Sequence, residues 1–220
     1  MEQASGWLQY LMNSEELIRT GGLVAITLII FIENGFFFGF FLPGDYLLFL
    51  SGVFCGTKIL TVPLPLLLAC IFLAAVIGSF VGYFSGWYFG DKIQARPDSI
   101  FFKKKHIDST RKYFAKYGSQ TLIIARFLPV VRTFSPILAG IVKMKFYKFS
   151  IFNILGGAIW VITLVGGGFY FGEKFPGIIN YVEYVIIFFL AVTTFTVVRG
   201  YINARKELNE SKEHNEANQS

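Results

Sequence analysis

The sequence holds few of the side chains that most enzymes use for chemistry. Its 220 residues include two cysteines and two histidines. Cys55 and Cys70 have no metal-ligand spacing, so we expect apolar packing residues and no metal site. His106 and His214 lie in a basic segment and in a polar tail, and no second aspartate lies in an apolar run to form a protease dyad with Asp45. We therefore expect no catalytic residue, no cofactor and no enzyme activity.

Charge is also scarce. Charged residues make up 15% of the sequence, whereas hydrophobic residues make up 54% and aromatic residues 18%. This composition is too apolar for an ordinary soluble domain, and several runs reach the roughly 20 apolar residues that cross a bilayer as a helix. The basic residues mostly border these runs, which indicates membrane topology and no nucleic-acid partner. The sequence predicts one all-α integral membrane domain.

A signal-peptide pattern is missing as well. Residues 1–20 are acidic, and their aromatic and leucine residues suit a short helix at the membrane surface. We expect this N-terminal segment to be interfacial and residues 21–200 to form the membrane domain. Residues 201–220 are polar, and we expect them to be a disordered cytoplasmic tail.

Two apolar stretches contain charges. Residues 33–52 and residues 126–140 each include Phe-Leu-Pro, an ionisable residue and a later pair of small residues. The charged side chains are Glu33 and Asp45 in the first stretch and Arg126 and Arg132 in the second. Charge inside a membrane segment is costly and usually functional. We expect these four opposed charges to meet near the middle of the bilayer.

Both stretches contain helix breaks. Residues 22–54 are too many for one span and too few for two, and Pro43-Gly44 interrupts them. A re-entrant hairpin explains this length, although a fully spanning first arm remains open. Pro129 and Pro136 interrupt residues 119–141, which predicts a second hairpin. Irregular backbone at this depth needs protein or a wet cavity around it, as a site would provide.

Three further runs predict spanning helices, at residues 63–90, 149–172 and 178–198. Residues 91–118 contain eight basic residues, which places them in the cytoplasm. A re-entrant second stretch keeps the lysines of residues 143–148 on the same side. The C-terminus is then also cytoplasmic, while the side of the N-terminus stays open.

Glycines recur at every fourth residue in the first of these helices. They are Gly78, Gly82, Gly86 and Gly90. A small-residue stripe lets another helix approach closely, either within one chain or between copies in a homo-oligomer.

Several motifs resemble those of the DedA family of bacterial membrane proteins, also called the SNARE-associated or VTT-domain family. They are F-L-P-G-D at residues 41–45, A-R-F-L-P-V-V-R-T-F at residues 125–134, and Asn153, Gly157 and Trp160. The resemblance implies two oppositely oriented re-entrant hairpins plus about three to four transmembrane helices in an inverted repeat. It also implies a multi-pass protein of the bacterial cytoplasmic (inner) membrane.

The resemblance further implies lipid transport of a flippase type. Its substrate would be undecaprenyl phosphate or a related anionic phospholipid, and the transport would be proton-dependent. The family's functional acidic pair matches Glu33 and Asp45, and its functional arginine pair matches Arg126 and Arg132. We expect the arginines to bind the substrate phosphate and the acids to couple protons or form ion pairs. Supporting residues are Pro43, Gly44, Pro129, Pro136, Asn153 and Trp160.

The side-chain chemistry suits this role. An arginine fork stays charged when desolvated and donates two parallel hydrogen bonds to a phosphate. Glu33 is the candidate proton carrier, and Asp45 would hold an arginine until phosphate arrives. Other interpretations remain open: a phosphatidylethanolamine or general phospholipid scramblase, a proton-coupled carrier of a small soluble substrate, a scaffold, or a buried ion-pair network without substrate.

Overall fold

Helices dominate the part of the chain that the structure, a computed structural model, describes: residues 14–36, 44–95, 120–175 and 177. Apart from one β-bridge between Cys55 and Leu60, every regular element there is helical, which confirms the predicted all-α class for these residues. The helices are α1 (Ser14–Gly35), α2 (Gly44–Phe54), α3 (Leu64–Ala95), α4 (Thr121–Ala125), α5 (Pro129–Ile141), α6 (Phe146–Val161) and α7 (Gly167–Lys174). A π-helical segment, Ile162–Gly166, joins α6 to α7.

Two helical stretches are long and apolar enough to cross a membrane. Leu64–Gly90 has a mean hydropathy of 2.6, and Phe146–Lys174 has a mean hydropathy of 1.9. They correspond to two of the predicted spans, although the first helix continues to Ala95 and the second begins at Phe146. The predicted span at residues 178–198 lies outside the described residues, as do residues 96–119 of the basic segment and the polar tail.

The shorter apolar helices lie where the hairpins are predicted. α2 has 11 residues and α5 has 13, fewer than a bilayer span needs. The chain breaks between α4 and α5, where Leu128 is extended and Pro129 occupies the first turn of α5. The first break falls between Gly35 and Gly44, and its residues 37–43, including Pro43, lie outside the described part. Re-entrance itself stays a prediction.

Pro136 behaves differently from the expectation. It was expected to interrupt the second stretch, but it lies inside α5, which continues to Ile141. Proline removes the N–H that would bond to the carbonyl four residues earlier, here that of Arg132. The Ser135 hydroxyl donates to this carbonyl oxygen at 3.3 Å, so the helix continues without leaving it unpaired.

Glycines set the closest helix contacts. Gly78 lies against the backbone of α1, and a Cβ there would be 2.7 Å from the Phe31 carbonyl oxygen. Gly86 of α3 meets Gly140 of α5, where an added Cβ would be 2.6 Å from the Trp87 amide nitrogen. The predicted stripe therefore packs within one chain. These contacts hold α1 and α5 on α3.

A second glycine pair joins α2 to α7. A Cβ at Gly52 would lie 2.9 Å from the Phe169 nitrogen, and one at Gly168 would lie 3.2 Å from the Val53 nitrogen. Each of the short helices α2 and α5 thus docks on a neighbouring helix through facing glycines. The small-residue pairs noted in the two charged stretches supply Gly52 and Gly140.

The largest buried cluster lies between α1, α2, α3 and α6, with Ile26, Leu48, Ile71 and Trp160 among its members. Large apolar side chains on the outer faces, such as Leu73, are exposed. Because this surface is apolar, it suits contact with lipid.

Candidate functional site

Arg132 forms the centre of a buried charge cluster. Its Nη2 donates to Glu33 Oε1 at the end of α1, and its Nη1 donates to Asp45 Oδ1 at the start of α2. Glu33 and Arg132 are each 2% exposed, so these bonds lie almost wholly away from the surface. The fork of one guanidinium therefore bridges two carboxylates that the sequence separates by a helix break.

Trp160 of α6 contacts both ends of one of these ion pairs. Its indole Nε1 donates to Asp45 Oδ1 at 3.1 Å, and its ring centroid lies 4.4 Å from Arg132 Cζ. An aromatic face at this distance attracts the guanidinium. Trp160 was expected to support the site, and the structure places it against both Asp45 and Arg132.

The start of α2 lies against Glu33. A Cβ at Gly44 would collide with the Glu33 carboxyl group, so any other residue there would force this carboxyl group to move. Asp45 occupies the first turn of α2, where the helix dipole favours negative charge. Glu33 Oε2 has no hydrogen-bond partner among the described residues. This oxygen is buried against the Gly44 backbone and is not engaged by Arg132, so it is the one that could carry a proton.

Arg126 has a different environment. Its Nη2 donates to Ser79 Oγ at 3.0 Å and to Asn153 Oδ1, and both acceptors are neutral. Asn153 is itself fixed, because its Nδ2 donates to the Val76 carbonyl oxygen at 3.2 Å. Among the described residues no carboxylate forms a salt bridge with Arg126, and its Nη1 has no partner.

This arrangement refines the expected meeting of four charges. Arg132 takes both carboxylates, whereas Arg126 is 4% exposed and has no counter-ion within the part of the chain that the structure describes. The reason lies in the packing: α4 packs against α6, and Arg126 at its end donates to Asn153 of α6 and to Ser79 of α3. The acids of α1 and α2 lie around Arg132.

Glycines provide the room for the Arg126 side chain. A Cβ at Gly156 would lie 3.1 Å from Arg126 Cδ, and one at Gly157 would lie 3.5 Å from its Cζ. α6 therefore presents a flat surface at the level of Arg126, with Asn153 one turn earlier.

A small cavity connects the two arginines. Its lining residues are Ser79, Leu122, Arg126, Arg132, Ser135, Pro136, Phe149 and Asn153. It has room for about one water molecule, so a phosphate group fits only if neighbouring side chains move. Within residues 14–36, 44–95, 120–175 and 177, no three His, Cys, Asp or Glu side chains group as metal ligands. The polar groups that line the cavity are guanidinium, hydroxyl and amide groups, and such a lining suits an anion.

Sequence reasoning missed Ser79 and Ser135 as site residues. A detectable signal existed for Ser79, because it is a polar residue in the apolar run of α3, next to Gly78. Ser135 donates to the Arg132 carbonyl oxygen because Pro136, the next residue, has no N–H for this bond. Pro129 begins α5 as a helix start, and Pro43 lies outside the described residues.

Comparisons with known proteins place these features in a family. The VTT domain model matches residues 42–170, which include Asp45 and both arginines. Protein DedA of Escherichia coli is 36% identical over 145 residues, 66% of each chain, so the match spans just under two thirds of that relative.

Two other relatives are matched over more of their length. An uncharacterized membrane protein of Mycobacterium tuberculosis is 35% identical over 164 residues, 74% of this chain and 72% of the relative. Inner membrane protein YqjA of Escherichia coli is 30% identical over 172 residues, 78% of this chain and 77% of the relative. No solved structure matches the chain. The family model covers more than half of the sequence, and the chain therefore belongs to the VTT-domain, or DedA, family of membrane proteins.

Proposed function

We propose that this protein moves a lipid with a phosphate headgroup across the bacterial cytoplasmic membrane, as a proton-dependent flippase. Undecaprenyl phosphate or a related anionic phospholipid is the substrate, and the C-terminus is cytoplasmic. The observation that supports this function best is the buried Arg126, which has neutral partners, a bare Nη1 and a cavity in common with Arg132.

A phosphate group would supply the counter-ion that Arg126 lacks among the described residues. A buried cation without a counter-ion is costly, and the cost is removed when an anion binds. Guanidinium groups match phosphate oxygens in geometry and stay charged away from water. Arg126 supplies the uncompensated charge, and Arg132 supplies a second fork once it leaves a carboxylate.

The carboxylates provide the coupling. Glu33 and Asp45 both accept hydrogen bonds from Arg132, so they compete with an incoming phosphate for the same guanidinium. A proton that binds to Glu33 removes its charge and weakens its hold on Nη2. Proton uptake and phosphate binding then favour each other, which is the requirement for proton-driven transport.

The surroundings of the arginines favour a lipid over a small soluble anion. Phe127 and Leu128 follow Arg126 at the helix break, and Val131 precedes Arg132; all three are exposed. An acyl or prenyl chain can lie along these apolar side chains while its headgroup reaches the guanidinium groups.

Purified protein in proteoliposomes tests the proposal. We expect headgroup exchange between leaflets for a phosphate-bearing lipid, and we expect that lipid to co-purify with the wild type. Arg126→Ala should lose both, whereas Lys145→Ala, which removes an exposed basic residue, should keep both. Absence of lipid movement with the wild type, or uptake of free phosphate instead, contradicts the proposed function.

A further inference from the structure

The two arginines differ in a way that the proposed function alone does not require. Arg132 donates to two acids, whereas Arg126 donates to a hydroxyl and an amide oxygen. Both side chains are more than nine-tenths buried. The neutral partners satisfy the geometry of Arg126 Nη2 without cancelling its charge.

We propose that Ser79 and Asn153 are positioning residues that make Arg126 the first anion-binding group of this site. They hold Nη2 and leave Nη1 bare, so a phosphoryl oxygen can bind while Arg132 is still paired with Glu33 and Asp45. This inference rests on the proposed function and adds an order to it. Arg126 binds the phosphate first, and Arg132 binds it once its hydrogen bonds to Glu33 and Asp45 break.

The contacts of the neutral partners support this role. Ser79 Oγ donates to the Ala75 carbonyl oxygen at 2.8 Å, so its lone pairs remain for Arg126. Asn153 donates its amide N–H to the Val76 carbonyl oxygen, so its Oδ1 faces the Arg126 guanidinium group. Each partner is thus locked as an acceptor. Aspartate has nearly the same shape as asparagine but is charged. A substitution at position 153 therefore distinguishes a role in holding the Arg126 side chain from a role in keeping its charge uncompensated.

Asn153→Asp is therefore the decisive variant. A purely structural role predicts that anion affinity survives in Asn153→Asp, since aspartate still accepts a hydrogen bond from Arg126, although it can no longer donate to the Val76 carbonyl oxygen. The positioning role predicts a folded protein with lost anion binding, because the new carboxylate neutralises the charge of Arg126. The readout is thermal stability of the purified protein in a non-ionic detergent, with and without dodecyl phosphate or inorganic phosphate.

We expect dodecyl phosphate to stabilise the wild type, and we expect Asn153→Asp to bind it at least about tenfold more weakly. Inorganic phosphate at equal concentration shows whether the phosphoryl group alone suffices. Should Asn153→Asp fail to fold, Ser79→Ala replaces it, with a several-fold weaker affinity expected. Ser51→Ala is its matched control, because Ser51 is a buried serine that donates to its own helix at the Leu48 carbonyl oxygen.

The outcomes distinguish the two proposals. Equal affinity of the wild type and Asn153→Asp overturns the role of the neutral partners, as does a wild type that binds neither probe. Lipid movement that persists in Asn153→Asp proteoliposomes also overturns it and leaves the transport function standing. Lost binding in the variant, with no lipid movement by the wild type, supports the positioning role and contradicts transport.

Discussion

At the scale of single residues, two carboxylates and the proposed phosphate substrate compete for the guanidinium group of Arg132. Arg132 has two anionic partners within the protein, and Trp160 covers the face of its fork. A buried arginine with two acids is stable in itself, so a substrate has to displace at least one of them. Residues that change this competition should therefore change transport more than folding.

Arg132→Lys tests the need for a fork. Lysine keeps the charge but is a point donor, so it cannot bridge Glu33 and Asp45 with parallel bonds or stack flat on Trp160. We expect lipid movement to fall by about tenfold or more, with only a modest loss of thermal stability. Arg132→Ala, in contrast, leaves the buried Glu33 carboxylate without a counter-ion and Asp45 with Trp160 alone, and should destabilise the protein by roughly 3–5 kcal/mol. Normal transport in Arg132→Lys would remove the argument from fork geometry.

Glu33→Gln tests proton coupling. Among the described residues, the charged groups around Glu33 are Arg132 of α5 and Asp45 of α2, and the variant keeps both. If phosphate binding requires one proton on Glu33, wild-type affinity rises as pH falls, by up to about tenfold per pH unit. Glutamine is neutral at every pH, so the affinity of the Glu33→Gln variant should be higher than that of the wild type at pH 8 and should follow only the titration of the ligand.

Dodecyl phosphate affinity measured from pH 6 to pH 8 in both proteins checks this expectation. The ligand titrates equally in the two experiments, so the difference between the profiles belongs to the protein. Identical profiles would leave Glu33 with a structural role alone.

The sequence predicts some residue contacts and not others. Opposite charges inside apolar runs form ion pairs because no other group there stabilises them. The ion pairs of Glu33 and Asp45 with Arg132 therefore follow from the composition of these runs. The neutral partners of Arg126 do not follow. Ser79 lies 47 positions away and Asn153 lies 27 positions away, and no local pattern connects them with an arginine.

At the scale of elements, the π-helical segment aligns two contacts with α2. Trp160 donates to Asp45, and Gly168 meets Phe49 and Val53. Eight steps of a regular helix turn about 800°, which would place Gly168 about 80° away from Trp160 around the axis. A π turn takes up one extra residue, so the eight steps turn only about 700°, close to two full turns. Both residues then face α2.

Gly168→Ala tests the docking of α2. A Cβ there would lie 3.0 Å from the Phe49 carbonyl carbon, so α2 has to move away, at a cost of about 1–3 kcal/mol. Gly167→Ala is the matched control, because it is the neighbouring residue and its Cβ would meet nothing within 4 Å. Thermal unfolding in detergent should separate the two variants.

Transport should fall in Gly168→Ala alone, since the displaced α2 takes Asp45 away from Arg132. Equal melting temperatures of the two alanine variants would contradict this docking.

At the scale of the whole molecule, the two charged stretches share a docking device. α2 meets α7 at Gly52 and Gly168, and α5 meets α3 at Gly86 and Gly140. One short helix carries an acid and the other a base, and both charges point into the same cluster. This correspondence is what an inverted repeat with a central site would produce. The sequence predicts the repeat in part from its small-residue pairs, whereas their contacts with glycines on α3 and α7 are seen only in the packing.

Membrane topology is the remaining prediction at this scale. Phe146–Lys174 has 29 residues, about 43 Å of helix, which is long enough to place its ends on opposite sides of a bilayer. If the second stretch is re-entrant, Tyr147 lies on the cytoplasmic side together with the basic segment, and Glu173 lies outside. Single cysteines at positions 104, 147 and 173 in a Cys55→Ser, Cys70→Ala background test this with a membrane-impermeant maleimide.

In intact spheroplasts, only the cysteine at position 173 should react, and the other two should react after the membrane is opened. The reason is the charge balance: a basic segment and the lysines of residues 143–148 stay together on one side only if the chain between them does not cross. Reaction at position 147 with protection at position 104 would mean that residues 119–141 span the bilayer. Arg132 could then not belong to a hairpin that enters and leaves from the cytoplasm.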